Sequence, residues 1–89
     1  MILRFTELLP QWVALKDREG QAVSFLCPCD CGTRVVIPFM NPIDGGEPMT
    51  GPRHWRRAGF TFDSLVLSPS IYFQSHCHIT IKGGVVEDA

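Results

Sequence analysis

Three cysteines alternate with other residues in the run CPCDCG, which spans residues 27–32. In a regular strand these side chains would share one face, but the intervening proline, aspartate and glycine favour a tight turn. A turn lets successive thiolates converge on one point, and zinc binds four Cys or His ligands in a tetrahedron. The run therefore predicts a structural zinc site with three ligands, Cys27, Cys29 and Cys31.

The fourth ligand is expected from the other concentrated group of donors, His76, Cys77 and His78. In an extended segment, Cys77 points to the opposite face from both histidines. Cys77 shares its face with Ile79 and Ile81, which favours Cys77 as a ligand beside the core and leaves His78 as the second candidate. His54 is a weaker candidate. Either choice joins the cysteine turn to a distant strand.

Length and composition are compatible with one small globular domain over residues 1–89, with 45% hydrophobic and 19% charged residues. The N-terminus lacks the features of a signal peptide, and no apolar stretch is long enough to span a membrane. We therefore predict a cytoplasmic protein without a membrane segment.

Four cysteines in a reducing compartment are expected to be thiolate ligands and not disulfides. The alternatives are unligated thiols in a turn, or a disulfide from Cys77 to the run, which leaves two cysteines unpaired.

The pattern of short β-branched runs between turns predicts a mostly β fold with at most one helical turn. Two strands, at 21–26 and 33–39, form a hairpin around the cysteine segment, and 41–52 is a loop rich in proline and glycine. Residues 60–62 and 65–67 are expected to be short strands. Residues 78–81 alternate, and Lys82-Gly83-Gly84 predicts a tight hairpin to a last strand. We predict a single-domain antiparallel sheet or a partly open barrel, stapled by one zinc site.

A closed site of thiolates would be chemically inert, so the sequence predicts no enzyme. With only three protein ligands, Asp30, His76 or His78 could assist a zinc-bound water. The segment Ser68-Pro69-Ser70 lacks the flanking glycines of a nucleophile elbow. It is predicted to be a hydrogen-bonded turn.

Four stretches, taken in order, resemble one protein family: LCPCDCGTRVVIP at 26–38, His54-Trp55, SLVLSPSI at 64–71 and HITIKGG at 78–84. The resemblance covers residues 23–86 and is to a domain family of unknown function found in short bacterial and phage proteins. Its members have three alternating cysteines, a tryptophan, a Ser-Leu-x-x-Pro-Ser-Ile-like stretch and a Cys-x-Ser-His motif.

The resemblance implies metal binding, an association of bacterial members with ubiquitin-like conjugation systems, and a phage origin as one source. One departure concerns the last motif. If His78 matches the family histidine, the family cysteine falls on Ser75 and its serine on Cys77. The resemblance therefore favours His78 as a ligand, against the geometric preference for Cys77.

The leading hypothesis is a non-enzymatic, zinc-stabilised module that binds another protein, such as a phage-encoded inhibitor of a host protein complex in the host cytoplasm. A homodimer would protect its edge strands. The second hypothesis is a metal-dependent enzyme or accessory factor of a bacterial ubiquitin-like conjugation system. The third is a zinc-ribbon nucleic-acid binder that uses Arg53, Arg56 and Arg57 beside Trp55, which the net charge of −1 disfavours.

Overall fold

The chain folds into short antiparallel strands and one 3-10 turn. A computed structural model describes residues 2–15, 17–29, 32–46, 55–72 and 78–89. The 3-10 turn is Phe5–Leu8. The described residues form eight strands, which in chain order are β1 (Ile2–Arg4), β2 (Gln11–Leu15), β3 (Arg18–Leu26), β4 (Arg34–Pro38), β5 (Arg56–Ala58), β6 (Val66–Tyr72), β7 (His78–Lys82) and β8 (Val85–Asp88).

The strands form two antiparallel sheets. One has five strands in the order β1-β8-β7-β6-β5, and the other has three in the order β2-β3-β4. A single parallel bridge between Phe39 and Trp55 links the end of β4 to the residue before β5. The mostly β fold predicted from the sequence is confirmed, in the form of two open sheets.

Both sheets contribute to one hydrophobic core. Phe5 and Phe25, each fully buried, meet edge to face with ring centroids 5.0 Å apart. The two sheets therefore pack as one unit. The remaining buried members of the cluster are Leu8, Val23, Ile37, Phe39, Leu65, Leu67, Ile71, Ile79, Ile81 and Val86.

Two hairpins follow the predicted pattern. Strands β3 and β4 pair around the cysteine segment, as predicted, and β2 and β3 form a further antiparallel pair. Gly83 and Gly84, both with positive φ, connect β7 to β8. The Gly84 amide donates to the Leu65 carbonyl at 2.9 Å, and its carbonyl accepts from the Phe5 amide at 2.8 Å. This hairpin is therefore anchored to two other parts of the chain.

The strand predicted at 60–62 is wrong. These residues begin a turn, in which the Ser64 amide donates to the Thr61 carbonyl at 3.2 Å. The turn returns Phe62 to the core, where its ring stacks on Trp12 at 4.5 Å between centroids. The alternating aromatic residues of this segment lie in a turn and not in a strand. The alternation of apolar and polar residues alone does not distinguish the two cases.

An ion pair attaches the loop after β4 to the start of β3. The Arg18 guanidinium donates from Nε to Oδ2 of Asp44 at 2.9 Å and from Nη2 to Oδ1 at 3.0 Å. Gln21 Nε2 and the Gly46 amide also donate to this carboxylate. The hydrogen bonds from Arg18, followed by that from Gly46, lower the pKa of Asp44.

In the part of the chain that the structure describes, no helix has the length and apolar character needed to cross a membrane.

Candidate active site

Strand β6 contains an irregularity at its centre. Its register with β7 pairs Leu67 with Ile81 and Ile71 with Ile79, so the pairing shifts between Leu67 and Ile71. Such bulges redirect side chains and occur near active sites. Proline has no N–H to donate to the ladder, so within a sheet it is tolerated at a bulge, where the regular pairing is interrupted. The turn predicted for Ser68-Pro69-Ser70 is therefore wrong: this segment is the irregular centre of a continuous strand.

The shifted register brings Ser70 to His78. Tyr72 lies directly opposite His78, and Ser70, two residues before Tyr72, is on the same face of β6. The distance from Ser70 Oγ to His78 Nε2 is 2.6 Å. When the imidazole carries its proton on Nδ1, the serine hydroxyl donates to Nε2. This is the arrangement of a hydroxyl nucleophile beside a general base.

The core fixes both strands beneath this pair. Ile71 and Ile79, which are 2% and 0% exposed, lie opposite each other on the inner face of the sheet. Ser70 and His78 are on the outer face, where His78 is exposed. The Tyr72 ring, 68% exposed, stands edge-on to the His78 ring with centroids 5.8 Å apart. The backbone of the pair is thus held by buried residues while its reactive atoms face solvent.

The cysteine turn lies at the end of β3. The Cys27 amide donates to the Thr33 carbonyl at 2.8 Å, which closes the hairpin, and the Cys27 side chain is 7% exposed. The Cys29 amide donates to Cys27 Sγ at 3.4 Å. A backbone N–H directed at sulfur stabilises the thiolate that metal binding requires.

The structure shows Cys29 in a disulfide bond. A disulfide sulfur is not a thiolate and does not fit the ligand role. The zinc prediction therefore concerns the reduced protein.

The remaining predicted ligands are only partly described. Cys31, Cys77, the neighbouring His76 and the weaker candidate His54 lie outside the described residues. Among the residues described, no group of three or more Cys, His, Asp or Glu side chains is placed to hold a metal. His78, predicted as an alternative ligand, has its Nε2 within hydrogen-bond distance of Ser70. Zinc binding by the cysteines remains a prediction.

Sequence reasoning missed Ser70 as a functional residue. The available signal is the stretch SLVLSPSI, in which Ser70 precedes a histidine by eight residues. The nucleophile-elbow pattern does not apply to Ser70, because that pattern describes a strand-turn-helix site. A nucleophile on the flat face of an antiparallel sheet carries no glycine signature.

One family model matches nearly the whole chain. A family model described as "BubE: Bacterial ubiquitination-like system serine protease" matches residues 4–89. No curated protein and no solved structure matches the chain. The matched range includes the cysteine turn, Ser70 and His78.

The family match corrects two predictions. The prediction of a non-enzymatic protein is wrong, because the family is described as a serine protease. The resemblance to a bacterial family linked with ubiquitin-like systems is confirmed, but the match indicates neither unknown function nor a phage origin. By the match to 86 of its residues, from 4 to 89, the chain belongs to the BubE family of bacterial ubiquitination-like system serine proteases.

Proposed function

We propose that this chain is a serine peptidase in which Ser70 is the nucleophile and His78 the general base. The observation that carries the proposal is the 2.6 Å distance between Ser70 Oγ and His78 Nε2 on an exposed face. A serine hydroxyl is a weak nucleophile unless an adjacent base removes its proton. Membership of a family described as serine proteases supports the same assignment.

The geometry is suited to acyl transfer in two steps. Ser70 Oγ attacks the carbonyl carbon of the scissile amide while its proton passes to His78 Nε2. The carbon–nitrogen bond then breaks, and the leaving nitrogen takes that proton from His78. Water attacks the acyl-enzyme and gives a proton to His78, which returns it to Ser70 Oγ as the ester bond breaks.

The substrate in this proposal is a protein of a bacterial ubiquitination-like system. The site lies on an open sheet face, with His78 exposed and Tyr72 68% exposed beside it. A polypeptide can therefore reach Ser70 without entering a deep cavity. The protein partner predicted from the sequence becomes the substrate in this proposal.

The surroundings of Arg57 give no support to the nucleic-acid alternative. Arg57 is 8% exposed, and its Nη1 donates to the Gly59 carbonyl at 2.6 Å. Its guanidinium also lies 4.9 Å from the Phe60 ring centroid. A cation held in this way is poorly placed to contact phosphates.

Covalent labelling tests the proposal without knowledge of the natural substrate. A fluorophosphonate probe should attach to Ser70 of the wild-type protein, as located by mass spectrometry. Ser70→Ala should abolish the adduct, and His78→Gln should slow its formation by at least about a thousandfold, as removal of a catalytic base does elsewhere.

Ser68→Ala is the matched control, because Ser68 is an exposed serine on the same strand, opposite Arg56. Its labelling rate should equal that of the wild type. The proposal is wrong if folded wild-type protein forms no adduct, or if Ser70→Ala is labelled at the wild-type rate.

A further inference from the structure

The imidazole of His78 has a second nitrogen, and its partner decides how well the base is oriented. Nucleophile–base pairs usually include a third group that fixes the tautomer of the base. Within the described residues, Ser70 is the hydrogen-bond partner found for the His78 ring, through Nε2. Nδ1 is the other ring nitrogen, and β7 has a second neighbouring strand on the side away from β6.

The strand on that side is β8. Its register with β7 places Glu87 opposite Thr80, and the Ala89 amide donates to the His78 carbonyl at 2.8 Å. Thr80 and His78 are two residues apart and share the outer face. Glu87, opposite Thr80, is on this face as well.

Glu87 is therefore the diagonal neighbour of His78 on β8, as Ser70 is on β6. Diagonal neighbours in an antiparallel pair have Cα atoms about 7–8 Å apart, within reach of long side chains. The Glu87 side chain is exposed. It is long enough to reach the imidazole, and its strand lies on the side of β7 opposite the strand that carries the nucleophile.

The neighbouring carboxylate is less suited to this role. Asp88 pairs with Ile79, whose side chain is buried in the core. Cross-strand partners share a face, so alternation directs Asp88 away from the face that carries His78. Asp88 therefore provides a matched control one residue away.

We infer that Glu87 is a positioning residue whose carboxylate accepts a hydrogen bond from Nδ1–H of His78 as Ser70 reacts. This inference rests on the proposed function of Ser70 and His78. The contact holds the tautomer in which Nε2 is free to take the proton of Ser70, and it stabilises the imidazolium that forms. Catalytic hydrogen bonds are often long in the free enzyme and tighten in the complex.

The rate of fluorophosphonate labelling at Ser70 tests the inference. Glu87→Gln should be labelled about tenfold to a hundredfold more slowly than the wild type. This loss is smaller than the whole rate enhancement of about 10²–10⁴ that a positioned general base provides. Asp88→Asn should label at the wild-type rate. Glu87→Asp should recover part of the loss, because it restores the charge with a shorter side chain.

A spectroscopic readout separates positioning from a general loss of structure. Nitrogen-15 NMR of the His78 ring should show a larger Nδ1–H fraction in the labelled wild-type adduct than in the Glu87→Gln adduct. Circular dichroism should show the same fold in all variants.

The outcomes also separate this inference from the proposed function. If the wild type is labelled and Glu87→Gln matches it in rate and tautomer, the role of Glu87 is disproved and the Ser70–His78 assignment stands. If the folded wild type is not labelled at Ser70, both are overturned.

Discussion

Glycine occupies both positions of the turn that joins β7 to β8, and the two glycines have different surroundings. Gly83 and Gly84 have φ values of +56° and +75°. A Cβ at Gly83 would meet open space, whereas one at Gly84 would collide with the backbone carbonyl of Asp63. The first glycine is required only by its backbone conformation, and the second also by the close approach of another segment.

Gly84→Ala should therefore destabilise the protein more than Gly83→Ala. The left-handed conformation costs a residue with a Cβ roughly 1–2 kcal/mol, and Gly83→Ala should lose about that amount. Gly84→Ala should lose at least about 1 kcal/mol more, since a backbone carbonyl cannot move aside cheaply. Urea unfolding of both variants measures this difference. Equal losses would show that the Asp63 backbone yields without cost.

At the scale of elements, the loop after β4 depends on a charged contact. The Arg18 side chain and the Asp44 carboxylate are about one-third exposed, at 32% and 31%. Their double hydrogen bond lowers the pKa of Asp44. A depressed carboxyl pKa stabilises the fold above the unfolded-state pKa, and this stability is lost as pH falls through the folded-state pKa.

Asp44→Asn should therefore reduce the free energy of unfolding at neutral pH by a small amount, because the contact is solvent-screened. The difference from the wild type should shrink as pH falls below about 4, the ordinary range of an aspartate. Thermal unfolding between pH 2.5 and 7 measures it. A difference that stays constant over this range would contradict the assignment. Asp63→Asn, in an exposed turn, is the control.

How far the sequence predicts these elements depends on where their signals lie. The β7–β8 hairpin can be predicted because Gly83 and Gly84 interrupt a regular alternation of apolar and polar residues. The β3–β4 hairpin can be predicted because β-branched residues follow the cysteine run. Strand β6 is not readable as one strand, since Pro69 interrupts the pattern at a bulge. The Ser70–His78 pair depends on that bulge, because the register between β6 and β7 is a tertiary property that no local pattern encodes.

At the scale of the whole molecule, the two sheets share a core but differ in what they carry. The three-stranded sheet ends in the cysteine turn after β3, and the five-stranded sheet carries Ser70 and His78. With His78 as the fourth ligand, a zinc ion would occupy the imidazole that the peptidase proposal uses as its base. The zinc prediction and the peptidase proposal are therefore compatible only if Cys77, the other predicted fourth ligand, completes the site.

The reduced protein, prepared under reducing conditions without chelators, should bind about one equivalent of zinc, because thiolates are available to the metal only in that state. Elemental analysis measures the metal, and thiol titration measures the cysteines. Cys29→Ala should lower both zinc content and unfolding temperature, while the Cys27→Ala result shows whether the buried thiol also ligates. Less than half an equivalent in folded, reduced wild type would refute the zinc prediction.

The open position of Ser70 and His78 has a consequence for assay design. Enzymes that bury their nucleophile supply the water-excluded surroundings in which electrostatic catalysis is strong. Among the described residues, the sheet face provides a rigid floor without walls, so in the proposed function the shielding arrives with the substrate. Small chromogenic esters should be hydrolysed slowly, whereas a long polypeptide bound across Tyr72 should exclude water from Ser70 and His78. A screen of large protein conjugates is thus better matched to this surface than a library of short esters.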